Sequence, residues 1–313
     1  MRFFSKAKRP GWLAMNLRED GLRLAHVKRD GSDKPVATMA AYYPNIDADL
    51  GELIARVNKE VELSRYHCSL LLDPGQYQFF TVDAPNVQPE EIKTAIRWRV
   101  KDMLDYRVDD AAIDVVDIPV DKEYAARGHS MFVVAARNQL IQEKITLFSE
   151  SKVAVSVVDI PDMAQRNLSA LMEPEGRAVA FLVFTSEGGL LTVSFQGELY
   201  LSRRIEVTQD DLATEDSDRR HALFDRVTLE VQRSLDHFDR QFHFITVARL
   251  VLAAGQDPGL ENYMRSNLYL SVEPFELETV IDLSQCGALA NGGDRHKFLM
   301  TLGAALRVEE KEL

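Results

Sequence analysis

A two-lobed α/β protein with a small α+β insert in its first half is the fold class this sequence predicts. Three observations carry it. A pattern of three short strands, an amphipathic helix and a further apolar strand occurs twice, starting near Trp12 and near Ala178. An extra run of strands and helices interrupts the first occurrence between Tyr77 and Asp159. The chain has 313 residues, 46% of them hydrophobic, which is enough for a substantial core without disulfide or metal staples.

In the first half, residues 12–17, 22–27 and 36–43 read as strands. Glu19-Asp20-Gly21 and Asp30-Gly31-Ser32 supply the turns between them. Over residues 49–64, Leu50, Leu53, Ile54, Val57 and Val61 recur at helical spacing. Residues 68–72 form an apolar strand stopped by Asp73-Pro74-Gly75. The insert opens with a strand at 77–82. Pro89-Glu90-Glu91 then starts a helix, with proline and acids where a first turn favours them. Its stripe is Ile92, Ile96, Val100, Met103 and Leu104. Strands follow at 113–118 and 130–136. Asn138 is expected to cap a helix to about Ser149, and 153–159 is another strand.

Residues 161–172 read as a linking helix, and Glu173-Pro174-Glu175-Gly176 breaks the chain. Strands are expected at 178–184, 190–195 and 199–207, the last two joined at Gln196-Gly197. A charged loop, 209–220, leads to a long helix at 223–242 and an apolar strand at 244–253. Residues 258–266 are helical, 272–275 extended, and 297–307 a final helix. The expected boundaries are a flexible start at 1–11, a first lobe at 12–76, the insert at 77–160, the link at 161–176, a second lobe at 177–307 and a tail at 308–313. No short period repeats, so a solenoid is not supported.

Lys and Arg number 37 against 49 Asp and Glu, a net charge of −12. That balance argues against nucleic acid, whose binders need a basic surface. Cys68 and Cys286 make neither a metal spacing nor a disulfide framework, which points to a reducing compartment. No apolar stretch approaches the roughly 20 residues that span a bilayer. The basic start, residues 1–10, lacks the apolar region of a signal peptide, so a cytosolic chain is expected. That start reads as a disordered terminus. Phe3 and Phe4 beside four basic residues offer a contact with an anionic membrane as the alternative.

Several stretches together carry a resemblance. They are Leu70-Leu-Leu-Asp-Pro-Gly75 followed by Val82-Asp-Ala-Pro85 and Pro89-Glu-Glu-Ile-Lys-Thr-Ala-Ile-Arg-Trp98, then Leu229-Glu-Val-Gln-Arg-Ser-Leu-Asp236, then Leu250-Val-Leu-Ala-Ala-Gly255 with Gly259-Leu-Glu-Asn-Tyr-Met264, and last Thr301-Leu-Gly-Ala-Ala-Leu-Arg307. In this order the chain resembles the PilM family of type IV pilus assembly proteins, within it those of mannose-sensitive haemagglutinin (MSHA) pili. The resemblance implies the actin-like ATPase fold with two RNase H-like halves and a cytoplasmic place at the inner membrane. It implies a partner as well: the cytosolic N-terminal tail of a bitopic pilus protein (PilN-like, MshJ-like), gripped in a groove beside the insert. The pilus assembly ATPase is a further partner in that context.

Actin-like ATPases clasp phosphates with two glycine hairpins, each with an Asp that holds magnesium or its waters. Here Asn16 and Arg18 align with the Asp and Gly of the first hairpin. In the second, Phe184 takes the acidic place and is expected to fill the cleft. Ser186, Gly188 and Gly189 keep a competent turn, while Glu187 would repel phosphate. Gly255 alone remains of a glycine pair near the adenosine, followed by Gln256-Asp257. Glu230 and Arg233 sit one turn apart on a face that meets the adenosine in relatives; an exposed salt pair is the plain alternative. The expectation is a degenerate site and no enzyme, with no cofactor, residual ATP or ADP binding staying open. The competing readings are a working ATP-dependent switch and the cytosolic half of a type II secretion platform protein. The latter normally continues into a membrane span, which is not expected here, so that reading ranks lowest.

Other residues draw attention for less. His221, His237 and His243 lack helical metal-pair spacing and read as surface histidines. No Gly-x-Ser-x-Gly nucleophile motif is present. Cys68 reads as an inert core thiol and Asp109-Asp110 as a solvated loop. Arg97-Trp98-Arg99-Val100-Lys101 is basic and aromatic. Arg97, Trp98 and Lys101 are candidates for the rim of the partner groove, with Trp98 as anchor. A half-buried Trp among solvated neighbours is the plain alternative.

Overall fold

The computed structural model describes residues 8–308 apart from 30, 32, 47–48, 121–128, 256–257 and 291–294. The basic start at 1–7, Asp30, Ser32, Gln256-Asp257 and residues 309–313 lie outside the described residues.

Two five-stranded sheets share one topology. The first lobe has β1 (Trp12–Arg18), β2 (Gly21–Lys28), β3 (Val36–Pro44), β4 (His67–Leu71) and β8 (Val155–Asp159) in the order β3-β2-β1-β4-β8. The second has β9 (Ala178–Thr185), β10 (Gly188–Phe195), β11 (Glu198–Ile205), β12 (Val247–Ala253) and β13 (Val272–Pro274) in the order β11-β10-β9-β12-β13. In each, an antiparallel three-strand meander is extended by two parallel strands. The first strand of each meander lies in mid-sheet and is apolar on both faces, because both faces are covered. Leu13, Met15 and Leu17 enter a core with Ile54 and Val57 of α1 (Leu50–Val61). Ala14, on the opposite face, joins a core shared by both lobes.

That shared core is built by an exchange of helices. α4 (Pro161–Ser169) follows the first lobe's last strand but packs on β9, β10 and β11. α10 (Leu299–Ala305) follows the second lobe but packs on β1, β2 and β4. The stretch expected as a plain link is thus one of two crossed helices between the sheets. The final helix is a 3-10 turn, Arg295–Phe298, leading into α10.

The insert is smaller than its expected 77–160. Its antiparallel sheet has β7 (Ser130–Arg137) between β5 (Tyr77–Asp83) and β6 (Ala111–Asp117). β8 pairs with β4 and so belongs to the first lobe, and α3 (Asn138–Glu150) buries Phe148 among that lobe's core residues. Asn138 does not cap α3. It is the first helical residue, and its Nδ2 donates to the Asp109 carbonyl at 3.4 Å. α2 (Ile92–Val100) covers one face of the insert sheet with Ile96 and Val100. Met103, expected in that stripe, is exposed because the helix ends before it. The other face turns Phe79, Val116 and Phe132 into the second lobe's core. The charged loop at 209–220 contains α5 (Gln209–Leu212), closed by a capping box at Thr208 and Asp211. It also contains the start of α6 (Ser217–Gln241), capped by Asp216. α7 (Gly259–Asn267) precedes β13, and two four-residue helices, α8 (Leu277–Val280) and α9 (Gly287–Ala290), complete the second lobe.

His26, buried in β2, makes a pH-dependent contribution. Its Nε2–H donates to the Pro10 carbonyl at 3.0 Å, which leaves Nδ1 to accept from the Thr38 hydroxyl at 2.5 Å. Burial first, then the charges of Arg9 and Lys28, pull its pKa down to about 4 against the Pro10 bond. The folded state therefore prefers neutral histidine. This stability is complete above the unfolded pKa of about 6.5 and is lost as pH falls from there through about 4, by up to about 3 kcal/mol. Urea unfolding of the parent and of His26→Gln at pH 7, 5.5 and 4.5 should give curves that converge as pH falls. Parallel curves would remove His26 from the acid response.

Candidate functional site: the cleft between the lobes

The β1–β2 and β9–β10 hairpins face each other across the cleft and are built alike. Two loop residues lie between the pairs Arg18↔Gly21 and Thr185↔Gly188. Gly21 and Gly188 have φ of 153° and 117°. A Cβ at Gly21 would lie 2.3 Å from the Tyr43 carbonyl, and one at Gly188 3.0 Å from that of Ile205. Both glycines let the turn pass close over the third strand of its own meander. Gly189 has a different neighbour: its missing Cβ makes room for the Phe184 ring, 2.7 Å from the Cβ position.

The register corrects one expectation. Asn16 pairs with Arg23 and Val183 with Leu190, each two places before the hairpin's last pair. Val183, not Phe184, is the counterpart of Asn16. Phe184 points to the opposite face, fully buried in the second lobe's own core. It does not fill the cleft; its carbonyl accepts a hydrogen bond from His296 Nε2.

Asn16 and Arg18 do meet in the cleft. Asn16 Nδ2 donates to the Leu71 carbonyl at 3.2 Å and to Asp73 Oδ1 at 3.0 Å. Arg18 Nη1 donates to the same Asp73 oxygen at 3.1 Å, its Nε lies 3.7 Å from Asp20, and its Nη2 pairs with Glu187 of the second lobe. Burial pulls the Arg18 pKa down, but the Glu187 hydrogen bond and the charges of Asp73, Glu187 and Asp20 outweigh it and hold it above its ordinary value. Lys144 Nζ on α3 donates to the Leu17 carbonyl at 3.2 Å. Burial lowers its pKa against the pull of Asp73. In the facing loop, Thr185 Oγ1 accepts from the Glu187 N–H at 3.2 Å and donates to the Gly188 carbonyl.

Two cavities adjoin here and share Gln209, His296 and Lys297. One, about 300 Å³, is lined by Asn16, Arg18, Asp73, Ser186, Glu187 and Arg204. The other, about 830 Å³, runs along Gly255, Glu261, Phe275 and Glu278. Gly255 has φ +94°, and Gln209 Nε2 lies 2.9 Å from where its Cβ would be. Glu230 and Arg233 are exposed on α6 and line none of the cavities around Gly255. Phe224 is the α6 residue on that side. Six residues further along, a helix has advanced about 9 Å and turned away.

On the insert, Trp98 is 72% exposed, not half-buried, with Lys101 Nζ 5.8 Å from the ring centre. Arg97 is tied down, donating to the carbonyls of Val108 at 2.7 Å and Ala111 at 3.2 Å. Sequence reasoning passed over Asp73, read only as a turn residue, and Lys144, which nothing in the sequence brings beside Leu17. Among the described residues no group of three His, Cys, Asp or Glu side chains is placed to hold a metal ion. No helix among them is long and apolar enough to cross a membrane.

The fold is similar to that of a chain in the PilM-PilN type IV pilus biogenesis complex. The TM-score is 0.70 at 17% identity, over 96% of this chain and 98% of that one. The cytoplasmic domain of EpsL, an inner membrane component of the type II secretion system of Vibrio cholerae, is similar over 65% of this chain and 75% of its own, with TM-score 0.44 and 12% identity. A Bacteroides thetaiotaomicron protein of actin-like ATPase fold and unknown function is similar over 90% of this chain and 96% of its own, with TM-score 0.47 and 11% identity. No family model and no curated protein matches the chain. At these identities the likeness is one of fold, and with the duplicated sheet order and the crossed helices it makes this a two-lobed actin-like ATPase fold.

Proposed function

We propose that this protein is a non-catalytic scaffold of a type IV pilus assembly platform, MshI-like and of the MSHA type. It works at the cytoplasmic face of the inner membrane by docking onto the cytosolic tail of a PilN-like (MshJ-like) bitopic protein. The observation that carries the reading is the likeness in fold over nearly the whole of both chains to a member of a complex named for PilM and PilN. The cleft supports the absence of turnover. Asn16 stands in the first hairpin's acidic place and Val183 at the matching register position of the second, and neither side chain carries a charge for a metal. Trp98, exposed beside Lys101, suits an anchor for the tail.

The test is calorimetry with a peptide matching that tail. The parent should bind it, and Trp98→Ala should weaken binding roughly tenfold or more. No binding by the folded parent would remove the docking reading; equal binding by both proteins would move the anchor elsewhere. The adjoining 830 Å³ cavity favours a second reading, an ATP-binding switch of the same platform. Titration with ATP, with and without magnesium, separates the two. No heat near millimolar ATP leaves the scaffold, and tight magnesium-dependent binding returns a nucleotide cycle.

A further inference from the structure

We propose that Glu187 is a built-in substitute for a ligand's phosphate, a carboxylate from the second lobe that holds Arg18 of the first and latches the cleft shut without any ligand. The inference rests on reading the cleft as one that does not turn over nucleotide. Arg18 spends its guanidinium on three carboxylates: Nε faces Asp20, Nη1 bonds Asp73 and Nη2 pairs with Glu187. Two of these acids belong to its own lobe and one to the other. A guanidinium engages a carboxylate with the same donor fork it offers to phosphate.

Both ends of the pair are positioned before they meet. Asn16 holds Asp73, and Asp73 holds Arg18. Thr185 fixes the loop of Glu187 through that residue's own N–H. The side chains of Arg18, Glu187 and Asp73 are 30%, 24% and 14% exposed, so water and salt screen the pair less than an open surface bridge. Asp20 also pairs with Arg23 at 2.9 Å, so the acids around Arg18 are shared with a second cation, and it is Glu187 that occupies Arg18 Nη2. An incoming phosphate reaches that donor only once Glu187 withdraws.

The test uses the full chain with spin labels on exposed helix positions, one per lobe, at Lys59→Cys and Asp236→Cys; both native cysteines are buried. Pulsed electron resonance should give one narrow distance in the parent. Glu187→Ala and Arg18→Ala should each broaden it or lengthen it. The double variant should match the singles, because the two residues act as one unit. Singles as narrow as the parent, with circular dichroism showing them folded, would overturn the latch. Inorganic pyrophosphate then tests the substitution. Glu187→Ala should bind it at least about tenfold better than the parent, and Arg18→Ala/Glu187→Ala should lose that gain. Equal binding by parent and Glu187→Ala would overturn it. Failure of the non-catalytic reading looks different: the parent itself would bind ATP with magnesium and change its label distance.

Discussion

Gly303→Ala is expected to destabilise the protein by about 3 kcal/mol, and Gly303→Val to leave no stable fold. In a helix interior, alanine is ordinarily better than glycine by up to about 1 kcal/mol, so the sign is the point of the test. Gly303 lies in α10 where it crosses α4. A Cβ there would sit 2.2 Å from the Ala164 carbonyl oxygen and 2.7 Å from its carbon. The obstruction is backbone, which has no rotamer to escape into. The Asn167 amide also donates to the Gly303 carbonyl at 2.9 Å, which pins the crossing. Separating the helices would strip packing from both sheets, because α4 rests on the second lobe and α10 on the first. Ala14, Ala25, Leu168, Val183 and Leu302 would all lose contacts in the core they share. Urea denaturation of Gly303→Ala decides it: a midpoint at or above the parent's would mean that the helices can part cheaply.

The meanders are legible because strands covered on both faces read as near-continuous apolar runs bounded by turn residues, and β1, β2 and β9 are buried along most of their length. Destination was not legible. Nothing in Val155–Asp159 says that it pairs with β4 rather than with the insert, and nothing in Leu299–Ala305 says that it crosses to the other lobe. Both are non-local pairings. The short helices α5, α8 and α9 are four residues each, too brief for a period to show. At the site, Asn16 and Arg18 come from the family resemblance, which aligns them with the Asp and Gly of the first hairpin. The sequence alignment puts Phe184 opposite Asn16, one position past its register counterpart Val183, and in a strand one position exchanges the faces. Glu187 reads from the sequence only as a like charge for phosphate, and the structure pairs it with Arg18. Its partner lies in the other lobe, where single-sequence reasoning had no means to look.

Asp162→Ala should cost about 3 kcal/mol, and the loss should concentrate where the insert meets the second lobe. Asp162, on α4, is 1% exposed. Its Oδ1 accepts from the Ser202 hydroxyl at 2.5 Å. Its Oδ2 accepts from the Tyr77 hydroxyl and from Arg204 Nη2, the latter at 3.3 Å. Tyr77 begins the insert, while Ser202 and Arg204 lie on β11, so a single carboxylate gathers three parts of the molecule. Burial, then the charge of Asp162, pushes the Tyr77 phenol's pKa well above its ordinary value against the opposing pull of Arg204. The phenol therefore stays protonated and donates at any physiological pH. Removal of the carboxylate leaves a buried hydroxyl without its acceptor, whereas Arg204, whose side chain is 40% exposed, can turn to water. That escape keeps the expected cost toward the low end for a broken buried pair. Amide hydrogen exchange distinguishes this from general weakening. Protection should fall in β5 and β11 while β1 and β4 hold, and an equal loss across both sheets would mean that Asp162 supports the fold as a whole and not the seating of the insert.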